Sequence, residues 1–134
     1  MEKRFPRDIG AHDSIFQFVA GFLASAGIDA SQSFTVDLII EELFTNMVKY
    51  GRDGVHPISL QLERVDQDLV IRMVDFDVEP FDITRAPEAD TTRPARERKI
   101  GGLGIHFVRQ MADQLSYEYA GRNSTITVVK RLEG

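Results

Sequence analysis

The stretch KIGGLGIHFVRQM, Lys99 to Met111, decides how the rest of the chain is read. Three glycines (Gly101, Gly102, Gly104) stand directly before an apolar-periodic run that predicts a helix over Gly102–Asp113. Glycine inside a helix costs about 1 kcal/mol relative to alanine, so three of them at a helix start need another reason. A residue without Cβ lets the backbone approach a ligand closely and take positive φ. The first turn of a helix also presents free N–H groups and the positive end of its dipole. Glycines at a loop-to-helix junction are what a phosphate site needs, and they are also what ordinary turns use.

The segment before this junction is unusual. Phe76 to Ile100 spans 25 residues with little periodicity and with three prolines, Pro80, Pro87 and Pro94. Loops of that length in compact domains are functional lids or disordered insertions. Between Arg85 and Lys99 lie five basic residues (Arg85, Arg93, Arg96, Arg98, Lys99) and three acidic ones (Glu88, Asp90, Glu97). The whole chain carries net charge −5. A locally basic segment in an acidic protein suits an anionic ligand, while a solvated loop has the same composition.

Further back, DSIFQFVAGFLASAG (Asp13–Gly27) predicts a helix capped by Asp13 and ended by a left-handed Gly27. SQSFTVDLIIEELFTNMVKYG (Ser31–Gly51) predicts a longer one. PISLQLERV alternates Ile58, Leu60 and Leu62 against Ser59, Gln61 and Glu63, the period of a half-buried strand, and DLVIRMVD is its hairpin partner. QLSYEYA and STITVVKRL, joined by GRN, form a second hairpin. The order is α-α-β-β, a long gap, then α-β-β. Tight turns imply mainly antiparallel pairing, and one layer of helices against one sheet buries every apolar face. The expected class is α+β: a two-layer sandwich, a mostly antiparallel mixed sheet with helices on one face. No repeat or domain boundary interrupts it, so residues 1–134 read as a single domain.

Composition bounds the function. There are no cysteines, which excludes disulfides, thiolate metal sites and cysteine nucleophiles. Sixteen basic against 21 acidic residues argue against direct nucleic-acid binding. No apolar run approaches the roughly 20 residues that cross a bilayer, and the N-terminus has no signal-like apolar core. A cytoplasmic protein without membrane contact is the expectation.

On a helical wheel, Val36, Ile39, Ile40, Leu43, Phe44 and Met47 gather on one face of the second helix, opposite Thr35, Glu41, Glu42, Thr45 and Lys49. Asn46 falls beside the apolar stripe, one turn after Glu42. An amide oxygen is a neutral ligand able to complete a Mg²⁺ shell, and a nearby carboxylate accepts a proton from an attacking hydroxyl. A solvated acidic face has the same residues. Asp75 ends a strand, where a carboxylate either accepts from an exocyclic amine or makes a turn.

Taken together these segments resemble a known family. EELFTNMVKYG is similar to the N box of the histidine-kinase-like (GHKL) ATPases, VDFDVEPFD to their first glycine box, and KIGGLGIHFVRQMAD to their second. The likeness covers residues 7 to 132, and the three boxes in order carry it. The short chain and its ending STITVVKRL resemble the anti-sigma-factor serine/threonine kinases.

The resemblance implies a protein kinase using ATP and Mg²⁺. Asn46 matches the asparagine that binds Mg²⁺, Glu42 the proposed general base, and Asp75 the aspartate that recognises adenine. Gly101, Gly102, Leu103, Gly104 and Ile105 match the junction that closes on the phosphates, with 76–100 as the ATP lid. It also implies a homodimer that binds a sigma factor or similar regulator and phosphorylates a STAS-domain antagonist.

Three positions depart from the family pattern. Asp77 stands in the nucleotide site where the first glycine box usually carries glycine, adding bulk and a second negative charge beside the purine. Tyr50 replaces a common histidine, and Ile100 a common arginine. The alternative reading is a degenerate module that regulates by protein–protein binding with weak or no ATP binding. An ATPase domain of a two-component histidine kinase is disfavoured, since no phosphoacceptor helix pair is present.

Overall fold

The structure is a computed structural model that describes residues 1–51, 54–80 and 107–132. Strand β1 (Glu2–Phe5) leads through a 3₁₀ turn (Ile9–Ala11) into helix α1 (His12–Ser25). A second 3₁₀ turn (Ala30–Gln32) leads into α2 (Ser33–Tyr50). The hairpin β2 (Ile58–Val65) and β3 (Asp68–Asp75) follows, and then the hairpin β4 (Gln114–Ala120) and β5 (Asn123–Arg131). Residues 107–111 are helical, inside the third helix expected from the periodicity.

The strands form one five-stranded sheet in the order β1-β2-β3-β5-β4, and all its pairings are antiparallel. Strand β1 was not visible in the residue pattern. Its four residues bury only Phe5, too little alternation to mark a strand.

Alternation along the inner strands sets the core. Ile58, Leu60 and Leu62 of β2, Leu69, Ile71 and Met73 of β3, and Ile126 and Val128 of β5 are buried in one cluster. Ile15, Val19, Phe22 and Leu23 of α1 join it, with Val36, Ile39, Ile40, Leu43, Phe44 and Met47 of α2. The α2 set is the face the wheel picked out. Truncating one of these side chains to alanine, Ile40 for example, costs about 2–5 kcal/mol. The architecture is the expected α+β two-layer arrangement.

The helix starts differ from expectation. Asp13 caps nothing; α1 begins after Ala11 with no side-chain cap. Instead Asp8 accepts from Gly10 N–H at the 3₁₀ turn before α1, and Asp29 does the same for Ser31 before α2. Each aspartate caps the tighter turn that feeds the helix. At the other end of α1, Gly27 takes φ 68. The Ile28 N–H then reaches the Leu23 carbonyl at 2.9 Å, which closes the helix in a Schellman turn.

Candidate functional site

A pocket opens where the C-terminal end of α2 meets the end of β3. Asn46, Met47, Tyr50 and Gly51 line it from α2 and the residue after it. Asp75 lines it from β3, Val78 and Glu79 from the segment beyond, and Tyr117, Ser124 and Ile126 from β4 and β5. The register explains the convergence: Asp75 pairs with Ser124 and Tyr117 with Ile126. Met47, Val78 and Ile126 make an apolar wall, and Asn46, Asp75 and Ser124 are buried polar residues lining the same pocket.

Asn46 is only 2% exposed. Its Nδ2 donates to the Glu42 carbonyl at 2.7 Å. That bond uses the amide's nitrogen and leaves its oxygen, the atom a cation would need, as an acceptor. Glu42 sits one turn earlier and half-buried, outside the pocket's lining. Burial raises its carboxyl above the usual range, and the neighbouring Glu41 adds to the shift. A raised carboxylate lies closer to the working range of a base at neutral pH.

Asp75 is also 2% exposed, and it forms an ion pair with Arg7. Asp77 has φ 54, the left-handed region that explains a glycine at this place in the family motif. Its carboxylate does not enter the pocket lining. Oδ1 accepts from Arg122 Nε at 2.7 Å, and this bond and charge hold the carboxyl below its usual range. The second negative charge noted in the sequence at this position is paired with Arg122 in the structure. Three further bonds tie the same segment to the β4–β5 hairpin. Asp77 N–H donates to Asn123 Oδ1 (3.2 Å), Val78 N–H to the Arg122 carbonyl (2.8 Å), and Tyr119 O–H to the Val78 carbonyl (2.7 Å).

Gly101, Gly102, Leu103, Gly104 and Ile105 lie outside the described residues, as does most of the expected lid. Among the described residues, no three histidine or carboxylate side chains stand together as a metal site. Asn46 alone suits a cation whose other ligands are phosphate and water. Tyr50, Tyr117, Ser124 and Arg7 were missed as site residues. Tyr50 lay inside the quoted N box, but nothing local marks the other three, since strand pairing and a long-range ion pair bring them in.

The whole segment 5–130 matches the model of the histidine kinase-like ATPase domain. The chain belongs to this family. No curated protein matches it. Among solved structures, it is similar to the RsbU and RsbW domains of a Mycobacterium tuberculosis protein, with TM-score 0.69 and 15% identity over 98% of this chain. The match spans 31% of that longer chain. It is similar to the SiaB–SiaC complex of Pseudomonas aeruginosa, with TM-score 0.62 and 14% identity, covering 97% of this chain and 88% of that one. It is also similar to the Acinetobacter baumannii histidine kinase AdeS, with TM-score 0.56 and 15% identity, covering 100% and 68%. At these identities the likeness establishes the histidine kinase-like ATPase fold. No helix among the described residues of this domain is long and apolar enough to cross a membrane.

Proposed function

We propose that this histidine kinase-like ATPase domain binds ATP with Mg²⁺ and phosphorylates a serine or threonine of a STAS-type antagonist. It would act as an anti-sigma regulatory factor that also binds a sigma factor or similar regulator, as a homodimer in the cytoplasm. The observation that carries the reading is one pocket lined by both Asn46 and Asp75, an acceptor amide and a buried carboxylate on two different elements. ATP supplies the phosphoryl group, and Mg²⁺ screens its charge.

The chain's own residues have separable tasks in this reading. Asp75 accepts from the amine of the base against the apolar wall of Met47, Val78 and Ile126. Asn46 offers its amide oxygen to the metal. Glu42, one turn along α2, takes the proton from the attacking hydroxyl. The glycine junction Gly101–Ile105 closes on the phosphates. The structural neighbours support a partner-binding role, one being solved as a complex of two proteins. The second reading, a binding module without nucleotide, drew its support from Asp77, and the Arg122 pair weakens that support.

Isothermal titration with Mg-ATP, followed by transfer of labelled phosphate to proteins co-purified from the native host, tests the proposal. Saturable binding and a phosphoserine or phosphothreonine product are expected. A folded protein indifferent to millimolar Mg-ATP overturns the enzymatic reading and leaves the binding module.

A further inference from the structure

Arg7 follows β1 in the segment that leads to α1, and no sequence motif marks it. Its guanidinium reaches Asp75, 68 positions along the chain, through Nη1. Nη2 donates to the carbonyls of Met47 (3.0 Å) and Gly51 (2.8 Å) at the end of α2. Asp75, Met47 and Gly51 all line the pocket, whereas Arg7 does not. The guanidinium therefore stands behind the wall and joins three of its members.

The surrounding backbone is shaped to hold it. A Cβ on Gly51 would come within 2.5 Å of Arg7 Nη2, and one on Gly54 within 2.5 Å of Arg7 Cζ. Both glycines leave the space the planar group occupies. The Arg7 side chain is 12% exposed and that of Asp75 3%. A planar fork with five donors can serve a carboxylate and two carbonyls at once, which a lysine ammonium does less well.

We infer that Arg7 is the positioning residue for nucleobase selection, holding Asp75 as an oriented, ionised carboxylate in the pocket wall. This inference rests on the nucleotide reading above. A carboxylate paired with arginine only accepts hydrogen bonds. Held in the wall, it welcomes a base with an exocyclic amine and repels one with a carbonyl at the same position. Without Arg7 the carboxylate loses this ion pair and its link to α2, and the preference weakens even where the pocket survives.

The test compares dissociation constants of Mg-ADP and Mg-IDP, which exchange that amine for a carbonyl, in wild type, Arg7→Met and Arg7→Lys. Wild type is expected to prefer ADP by about tenfold or more, as sites built to hydrogen-bond one group reject its replacement. In Arg7→Met the ratio is expected to fall to within about threefold of unity, with Arg7→Lys between the two. General loss of structure would weaken both ligands and leave the ratio unchanged. A folded Arg7→Met protein that keeps the wild-type ratio overturns the inference. If circular dichroism shows that Arg7→Met does not fold, Arg7→Lys decides, and an unchanged ratio there overturns it equally. A wild type that binds both ligands equally overturns this inference and leaves the nucleotide site standing. A wild type that binds neither overturns both.

Discussion

Asp77 and Arg122 form an ion pair between the loop after β3 and the β4–β5 turn, and both hold left-handed backbone, with φ 54 and 63. Asparagine, aspartate and glycine adopt that region most readily, and arginine does so at some cost. The turn Gly121–Arg122 needs positive φ at both positions to match strand twist. Arg122 is thereby aimed at Asp77 rather than along the sheet. The exposed Asp77–Arg122 pair thus ties the loop after β3 to the β4–β5 turn.

Asp77→Gly tests that view. Its carboxylate faces Arg122 and not the pocket, so Mg-ATP affinity measured by titration should change by no more than about threefold, in keeping with the small effects of exposed ion pairs. A hundredfold gain would show instead that the aspartate repels the nucleotide.

Glu42→Gln should stabilise the fold at neutral pH. Burial, then Glu41, raises the Glu42 carboxyl, so the folded state binds its proton more tightly than the unfolded state. That group contributes stability below its unfolded value, and the contribution is lost as pH rises through its raised folded value. The variant should therefore melt above wild type near pH 7, by a margin kept small by the solvent that screens this half-buried group. The gain should shrink as pH falls through the raised folded value and below the unfolded one. Thermal melts across this range check the sign, and phosphoryl transfer should be lost while Mg-ATP still binds.

Asn46→Ala removes the amide proposed to hold the metal and its 2.7 Å bond to the Glu42 carbonyl. The fold should survive at a cost of about 1 kcal/mol. Mg-ATP titration should show no saturable heat. Retained tight binding would place the cation elsewhere.

Gly51→Ala should destabilise by about 2 kcal/mol, the usual scale of overpacking. The added methyl would stand 2.5 Å from Arg7 Nη2, 2.6 Å from Asp75 Oδ2 and 2.8 Å from the Met47 carbonyl. A chemical-denaturation midpoint equal to wild type would mean that the end of α2 yields without disturbing the ion pair.

Much of the site was legible because its motifs lie on periodic elements. Asn46 read as an edge residue of a helix face, and burial at 2% puts it on the inner side of that edge. Asp75 read as a strand-terminal carboxylate, but its place opposite Ser124 comes from the pairing of β3 with β5, which joins the two hairpins. Tyr117 and Ser124 gave no such sign. They sit on ordinary strand positions and join the pocket only because β5 lies between β3 and β4. The pairing of Asp77 with Arg122 left no local sign either, since the two lie 45 positions apart.

The amino-acid sequence by itself determined the helices, the two hairpins and the faces they bury. Those properties depend on backbone periods of 3.6 and 2 residues, which a short window of side chains records. Tertiary structure alone decided the short edge strand β1, the turning of Asp77 onto Arg122, and the guanidinium of Arg7 behind Asp75. Each joins residues far apart in the chain, and such meetings depend on how the packed layers bring distant ends together, which no local pattern encodes.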